Sequence, residues 1–123
     1  MGFLWCGYQK AKEKLEKAVA ISKETKDRGR EGSCYSNLGK VFYSLRDFDK
    51  AKELHMKALT IRKEIGDRQG EAMDYANLGN VFFSLKDPEK AKSHYEKALS
   101  LRQEVGDKEG EVADYCNLGN VYL

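Results

Sequence analysis

The triplet Asn37-Leu38-Gly39 returns as Asn77-Leu78-Gly79 and again as Asn117-Leu118-Gly119, a period of 40 residues. No other feature constrains the fold so tightly. Residues 27–66 and 67–106 are identical at 21 of 40 positions, so one structural unit is used repeatedly along the chain. Such a unit buries its apolar face against its neighbours rather than against itself, which makes an extended, repetitive core the expectation.

Within the unit the apolar spacing is helical. Tyr35, Leu38, Gly39 and Phe42 fall at i, i+3, i+4 and i+7, and Ala91, Tyr95, Ala98, Leu101 and Val105 form the matching stripe of a second helix. In the first copy Ala11, Leu15, Ala18 and Ile21 make the stripe. Asp27, Asp47, Asp67, Asp87 and Asp107 are N-cap residues, Pro88 suits the first helical position, and Gly66 and Gly106 suit a left-handed C-cap. Lys26 holds that C-cap position in the first copy and predicts a less sharply defined helix end there. These signals predict helices at about 8–25, 28–45, 48–64, 68–85, 88–104 and 108–122, paired as antiparallel hairpins by short turns. Gly39, Gly79 and Gly119 stand in mid-helix, where glycine costs about 1 kcal/mol against alanine. The repeated cost implies close approach of a neighbouring helix.

Composition narrows the class of function. With 34% charged residues, a net charge of +2 and one proline, the chain reads as soluble and helix-rich, without the basic excess of a dedicated nucleic-acid binder. The lysines at 50, 52, 57, 90, 92 and 97 are interleaved with acids and read as a solvated outer face. No apolar run is long enough to span a membrane, and residues 1–8 lack the charged start of a signal peptide. Cys6, Cys34 and Cys116 are odd in number and outside any Cys-x-x-Cys pattern, which favours a reducing, cytoplasmic setting. His55 and His94 have no second ligand at metal spacing, and His55 reads as the filler of an aromatic core position. Cys116 stands where Ser36 and Ala76 stand in the other copies and reads as a small filler rather than a reactive thiol. No phosphate loop, nucleophile elbow or paired-carboxylate arrangement is present, so neither an enzyme nor a cofactor site is expected.

Tyr75, Leu78-Gly79, Phe82, Ala91, Tyr95 and Ala98 together resemble the tetratricopeptide repeat signature, and Tyr35, Leu38, Gly39, Phe42, Ala51, His55 and Ala58 match it one unit earlier. Arg46 and Lys86 stand where that family commonly has glycine, and Lys63 and Gln103 where it has a helix-ending proline. The 40-residue period, with Gly-Asp-Arg/Lys before the unit, resembles the repeats of the Pins-type spindle-orientation adaptors. The resemblance implies an all-α, right-handed α-solenoid of helix hairpins, in which the first helices line a concave groove that holds an extended peptide of a partner protein. On that basis residues 1–26 form a partial repeat that is mostly second helix, 27–66 and 67–106 are full repeats, and 107–123 are a first helix alone.

The face next to the buried stripe names the candidate groove residues. Met73, Asn77, Asn80 and Ser84 project together, with Ser33, Asn37, Lys40 and Ser44 and then Ala113, Asn117 and Asn120 as their equivalents. A carboxamide both donates and accepts, so asparagine rows can clamp a peptide main chain, while Tyr43 and Phe83 offer apolar contact. The same asparagines could instead bond to neighbouring helices, and the bland alternative is a structural spacer with no peptide ligand. Family members that grip a C-terminal carboxylate use basic residues where this chain has Ser33, Met73, Ala113, Ser36, Ala76 and Cys116. That specificity is not expected, although Lys40 leaves a mild preference for an acidic ligand residue. Finally, the incomplete end units predict exposed apolar faces through which copies could stack head to tail or swap helices.

Overall fold

A computed structural model describes residues 2–123, with side chains from residue 6 onward. The described residues form six α-helices: α1 (Gly2–Glu24), α2 (Arg28–Ser44), α3 (Phe48–Ile65), α4 (Arg68–Ser84), α5 (Pro88–Val105) and α6 (Lys108–Val121). They pack in sequence order, each against the next, and α2 also touches α4 across the top of α3. The result is an α-solenoid. Its hairpins are α2–α3 and α4–α5, flanked by α1 on one side and α6 on the other.

All five connections use the same backbone device. A residue in left-handed conformation ends each helix: Lys26 (φ 57°), Arg46 (φ 64°), Gly66 (φ 72°), Lys86 (φ 63°) and Gly106 (φ 75°). The aspartate that follows donates its backbone N–H back five residues, as in Asp67 to the Arg62 carbonyl at 2.9 Å. Its carboxylate then caps the next helix, accepting in turn from the backbone N–H of Arg30, Lys50, Gly70, Lys90 and Gly110. One residue therefore closes one helix and opens the next. The first joint, carried by Lys26, is as well formed as the others, because it makes the same Asp27 to Ser22 carbonyl bond at 2.9 Å.

Two expectations for α1 are corrected by the structure. The helix begins at Gly2 rather than near residue 8, because Cys6 and Gly7 stand where the other units have Arg46-Asp47 and Lys86-Asp87. Without a capping aspartate nothing interrupts the helix. Met1 lies outside the described residues. The buried side of α1 is made by Val19 and Ser22, with Leu15 and Ala18 half-buried, and Ile21 is 59% exposed. Its equivalent Ile61 is 3% exposed because α2 packs over it, and no described helix does this for α1. Val105 is also exposed, as is its equivalent Ile65. Each is the last residue of its helix, beside the glycine where the chain turns away.

The apolar core is divided into two. One cluster gathers Val19, Tyr35, Leu38, Leu54, Ala58 and Ile61 around the first hairpin. The other gathers Leu59, Ala72, Tyr75, Leu78, Phe82, Ala91, Tyr95, Ala98 and Leu101 around the second. The mid-helix glycines explain how closely each hairpin is packed: a Cβ on Gly39 would lie 2.6 Å from the His55 ring, and one on Gly79 would lie 2.6 Å from the Tyr95 ring. His55, 1% exposed, does occupy the aromatic core position.

Candidate functional site

Between α2 and α4 the surface folds into a pocket of about 260 Å³, lined by Lys40, Tyr43, Ser44, His55, Asn77 and Asn80. Five of these six were singled out from the sequence pattern, and the sixth, His55, reaches in from α3 through the gap left by Gly39. Helical spacing brings them together. Lys40 and Ser44 stand one turn apart on α2, Asn77 and Asn80 stand one turn apart on α4, and the direct contact between the two helices sets the rows side by side.

The two asparagines of α4 are bound differently. Tyr95 donates its hydroxyl to Asn80 Oδ1 at 2.5 Å, which fixes the carboxamide by its oxygen while Asn80 lines the pocket. Burial pushes the Tyr95 phenol up to about 12, so it remains the donor at any ordinary pH. Asn77 Nδ2 is buried and has no hydrogen-bond partner within the protein. Tyr43 completes the wall, its hydroxyl 2.8 Å from Ser84 Oγ across the joint and its ring edge-on to Phe48.

The remaining candidates lie outside this pocket. Asn37 and Asn120 are exposed, Asn117 is half-buried, and Met73 and Phe83 are apolar side chains open to solvent on α4. None of these five is among the lining residues of the cavity, and neither is Ser84, which meets it only through Tyr43.

Beneath the pocket lies a polar cluster that the sequence reading missed. Asp74 on α4 is completely buried, accepts from the Ser36 hydroxyl of α2, and accepts from Arg62 Nε of α3 at 3.4 Å. His55 Nδ1 stands 3.6 Å from the same carboxylate, and Arg62 also reaches Asp67 at 3.0 Å and Ser33 at 3.4 Å. This cluster ties α2 and α3 to α4 at the joint between repeats, which Leu59 of α3 also crosses to join the second apolar cluster. The signal was present in the chain: Arg62 and Asp74 recur as Arg102 and Asp114 at the same spacing, and Asp74 falls one turn from Leu78 on the buried stripe.

The second joint has the same pair without its support. Arg102 Nε and Asp114 Oδ2 are 3.2 Å apart but not aligned as a hydrogen bond, and Ala76 and Tyr95 replace Ser36 and His55. Burial therefore pushes the Asp114 carboxyl up to about 6, against the pull of Arg102. A carboxyl raised on folding takes up its proton in the native state first, so this group favours the folded state more as pH falls from about 7 towards 4. Melting of the wild type and of Asp114→Asn, compared across that range, is expected to show the wild type gaining relative to the variant on acidification.

The sequence family model described as Tetratricopeptide repeat matches residues 7–64 and 71–123. The chain belongs to the tetratricopeptide repeat family. Solved structures agree with it in fold. BtubC (BKLC) from P. vanneervenii superposes with a TM-score of 0.85 at 29% identity, over 96% of this chain and 50% of that one. The apo form of RapI gives 0.87 at 20% identity, over 97% and 43%. A Signal Transduction ATPase with Numerous Domains protein with a tetratricopeptide repeat sensor, from Pyrococcus horikoshii, gives 0.86 at 21% identity, over 94% and 18%. This tetratricopeptide chain thus spans half or less of the length of each of these three proteins. No curated protein matches it in sequence. Tetratricopeptide repeats are protein-interaction scaffolds, and no helix among the described residues is long and apolar enough to cross a membrane.

Proposed function

We propose that this chain holds an extended peptide segment of a partner protein in the pocket between α2 and α4. The observation that carries the reading is the cavity of about 260 Å³ in which Lys40, Asn77 and Asn80 meet, wide enough for a side chain or a stretch of main chain. The carboxamides of Asn77 and Asn80 line it, and a peptide main chain that bonds to either gains about 0.5–1.5 kcal/mol. Asn80 supplies a second donor from the same row, held in place by Tyr95. Lys40 at the rim favours an acidic residue in the segment, and Met73 and Phe83 extend an apolar surface beyond it.

The test is a peptide selected from a random display library on the wild-type chain and then titrated against Asn77→Ala. Because Asn77 makes no bond within the protein through Nδ2, the variant should fold as well as the wild type. The expected loss of affinity is roughly tenfold or more. Unchanged affinity, or a bound peptide whose nuclear magnetic resonance footprint avoids Lys40, Asn77 and Asn80, would instead leave the chain as a spacer or place its binding face elsewhere.

A further inference from the structure

Several lysines of the outer face are gathered over aromatic rings rather than spread through solvent. Between α1 and α3, with α2 as its floor, runs a groove of about 190 Å³ whose lining includes Lys23, Lys50, Lys57, Tyr35 and Phe42. Lys23 from one wall and Lys57 from the other reach the Tyr35 ring, at 5.9 and 5.5 Å from its centroid. The arrangement returns one repeat later between α3 and α5, with α4 as the floor. There Lys63 and Lys97 stand 5.5 and 5.6 Å from the Tyr75 centroid, and Lys90 stands 5.6 Å from that of Phe82.

Two substitutions set the grooves apart. In the first, Glu16 lies in the lining and Glu53 pairs with both Lys50 and Lys57, at 3.7 and 3.6 Å. Met56 and Ser93 hold those two positions in the second. Lys97 therefore lacks the acid that its equivalent Lys57 has one turn away, and the buried carboxylate of Glu71 on the floor is paired with Arg68 at 3.7 Å. The second floor is also more aromatic. His94 replaces Leu54 and packs its ring on Phe82 at 4.8 Å and on Tyr75 at 6.1 Å. Burial holds this imidazole below its ordinary range, with Nδ1 2.8 Å from the Lys90 carbonyl, so the ring is uncharged at neutral pH.

We propose that the groove between α3 and α5 docks an acidic peptide segment, with a carboxylate side chain meeting Lys63 and Lys97 at Tyr75 and a neighbouring apolar side chain lying against Phe82 and Met56. Charge chooses the occupant. Two ammonium groups brought to one ring from opposite walls repel each other, and a carboxylate that meets both relieves this. A nucleic acid fits less well, because its continuous phosphates would run past the groove onto the exposed Glu53, Glu89 and Glu96 of the same two helices, whereas a single carboxylate enters without meeting them. The groove lies in the middle of the chain, with α2 packed beyond α3 and α6 beyond α5, and further repeats at either end would leave it open. It is separate from the pocket between α2 and α4 and does not depend on that pocket's ligand.

The probe is a short, end-blocked peptide of glutamates interspersed with leucines, titrated by fluorescence anisotropy beside its glutamine counterpart. The glutamate peptide should bind with nuclear magnetic resonance shifts centred on Tyr75 and His94, and the glutamine peptide should not bind. Lys63→Gln combined with Lys97→Gln should weaken binding roughly tenfold or more with melting unchanged, since both side chains are exposed. Lys10→Gln combined with Lys14→Gln removes the same charge from α1, far from this groove, and should leave the affinity nearly as it was. A glutamate peptide that fails to bind, a glutamine peptide that binds as tightly, equal losses in the two double variants, or shifts confined to Lys40, Asn77 and Asn80 would overturn the proposal. So would a single-stranded oligonucleotide that displaces the peptide at lower concentration than the peptide itself needs, which would make the groove a nucleic-acid surface.

Discussion

Replacing Asp74 with alanine should destabilise the protein by about 3 kcal/mol, the low end of the range for removing one partner of a buried ion pair. The carboxylate is wholly enclosed and is the point at which three helices meet: Ser36 donates from α2, Arg62 from α3, and Asp74 itself belongs to α4. Without it the Arg62 guanidinium, also buried, keeps Asp67 at 3.0 Å and Ser33 at 3.4 Å but loses its partner at Nε. That residual pairing is why the low end of the range applies. The double variant Arg62→Met, Asp74→Leu removes both charges together and should recover most of the loss, since an apolar pair of similar volume is often as stable as the ions it replaces. Urea unfolding of the three proteins measures this directly, and a loss below about 1 kcal/mol in Asp74→Ala would contradict the account. The first joint shows that such a cluster is not obligatory, because Ser22 and Cys34 stand there in place of arginine and aspartate.

The same glycine-to-alanine change should have opposite signs at two equivalent positions. At Gly79 the new methyl would meet Tyr95 Cε1 at 2.6 Å, and that ring cannot swing aside because it is buried and its hydroxyl is bound to Asn80. Overpacking of this kind costs about 1–3 kcal/mol, more than the helix propensity that alanine returns. At Gly119 the methyl meets nothing, so only propensity acts, and the gain should approach about 1 kcal/mol less what fraying near the end of α6 removes. Thermal melting of the two single variants decides it: equal effects would mean that the notch at Gly79 is not what requires glycine there.

How legible the fold was depended on the kind of residue. Aspartate caps and glycine stops act locally, so the five joints and all helix bounds after α1 could be placed from Asp27, Asp47, Asp67, Asp87 and Asp107 to within a residue or two. Where the cap is missing, at Gly7, the expected break is missing too. Burial was harder to read because it depends on what lies alongside: Ile21 and Ile61 are the same residue in the same register, and only the second has a helix over it. The polar joint was hidden by the ordinary rule that charges mark the solvent side, which Arg62 and Asp74 break together. As for the candidate site, spacing along α2 and α4 set Lys40, Tyr43, Ser44, Asn77 and Asn80 in two rows, and in the structure these five line one cavity. It could not show that Asn80 is half committed to Tyr95 while Asn77 Nδ2 is enclosed without a partner, since that depends on side chains of other helices.

The division of the interior into two apolar clusters, each centred on one hairpin, also has a mechanical consequence. Across the joint the hairpins are held by Leu59 and by the bonds of Ser36 and Arg62 to Asp74 rather than by a continuous apolar core. A ligand seated between Lys40 and Asn77 would bridge α2 and α4 beside these ties, and so would add to the contacts that resist separation of the hairpins under tension.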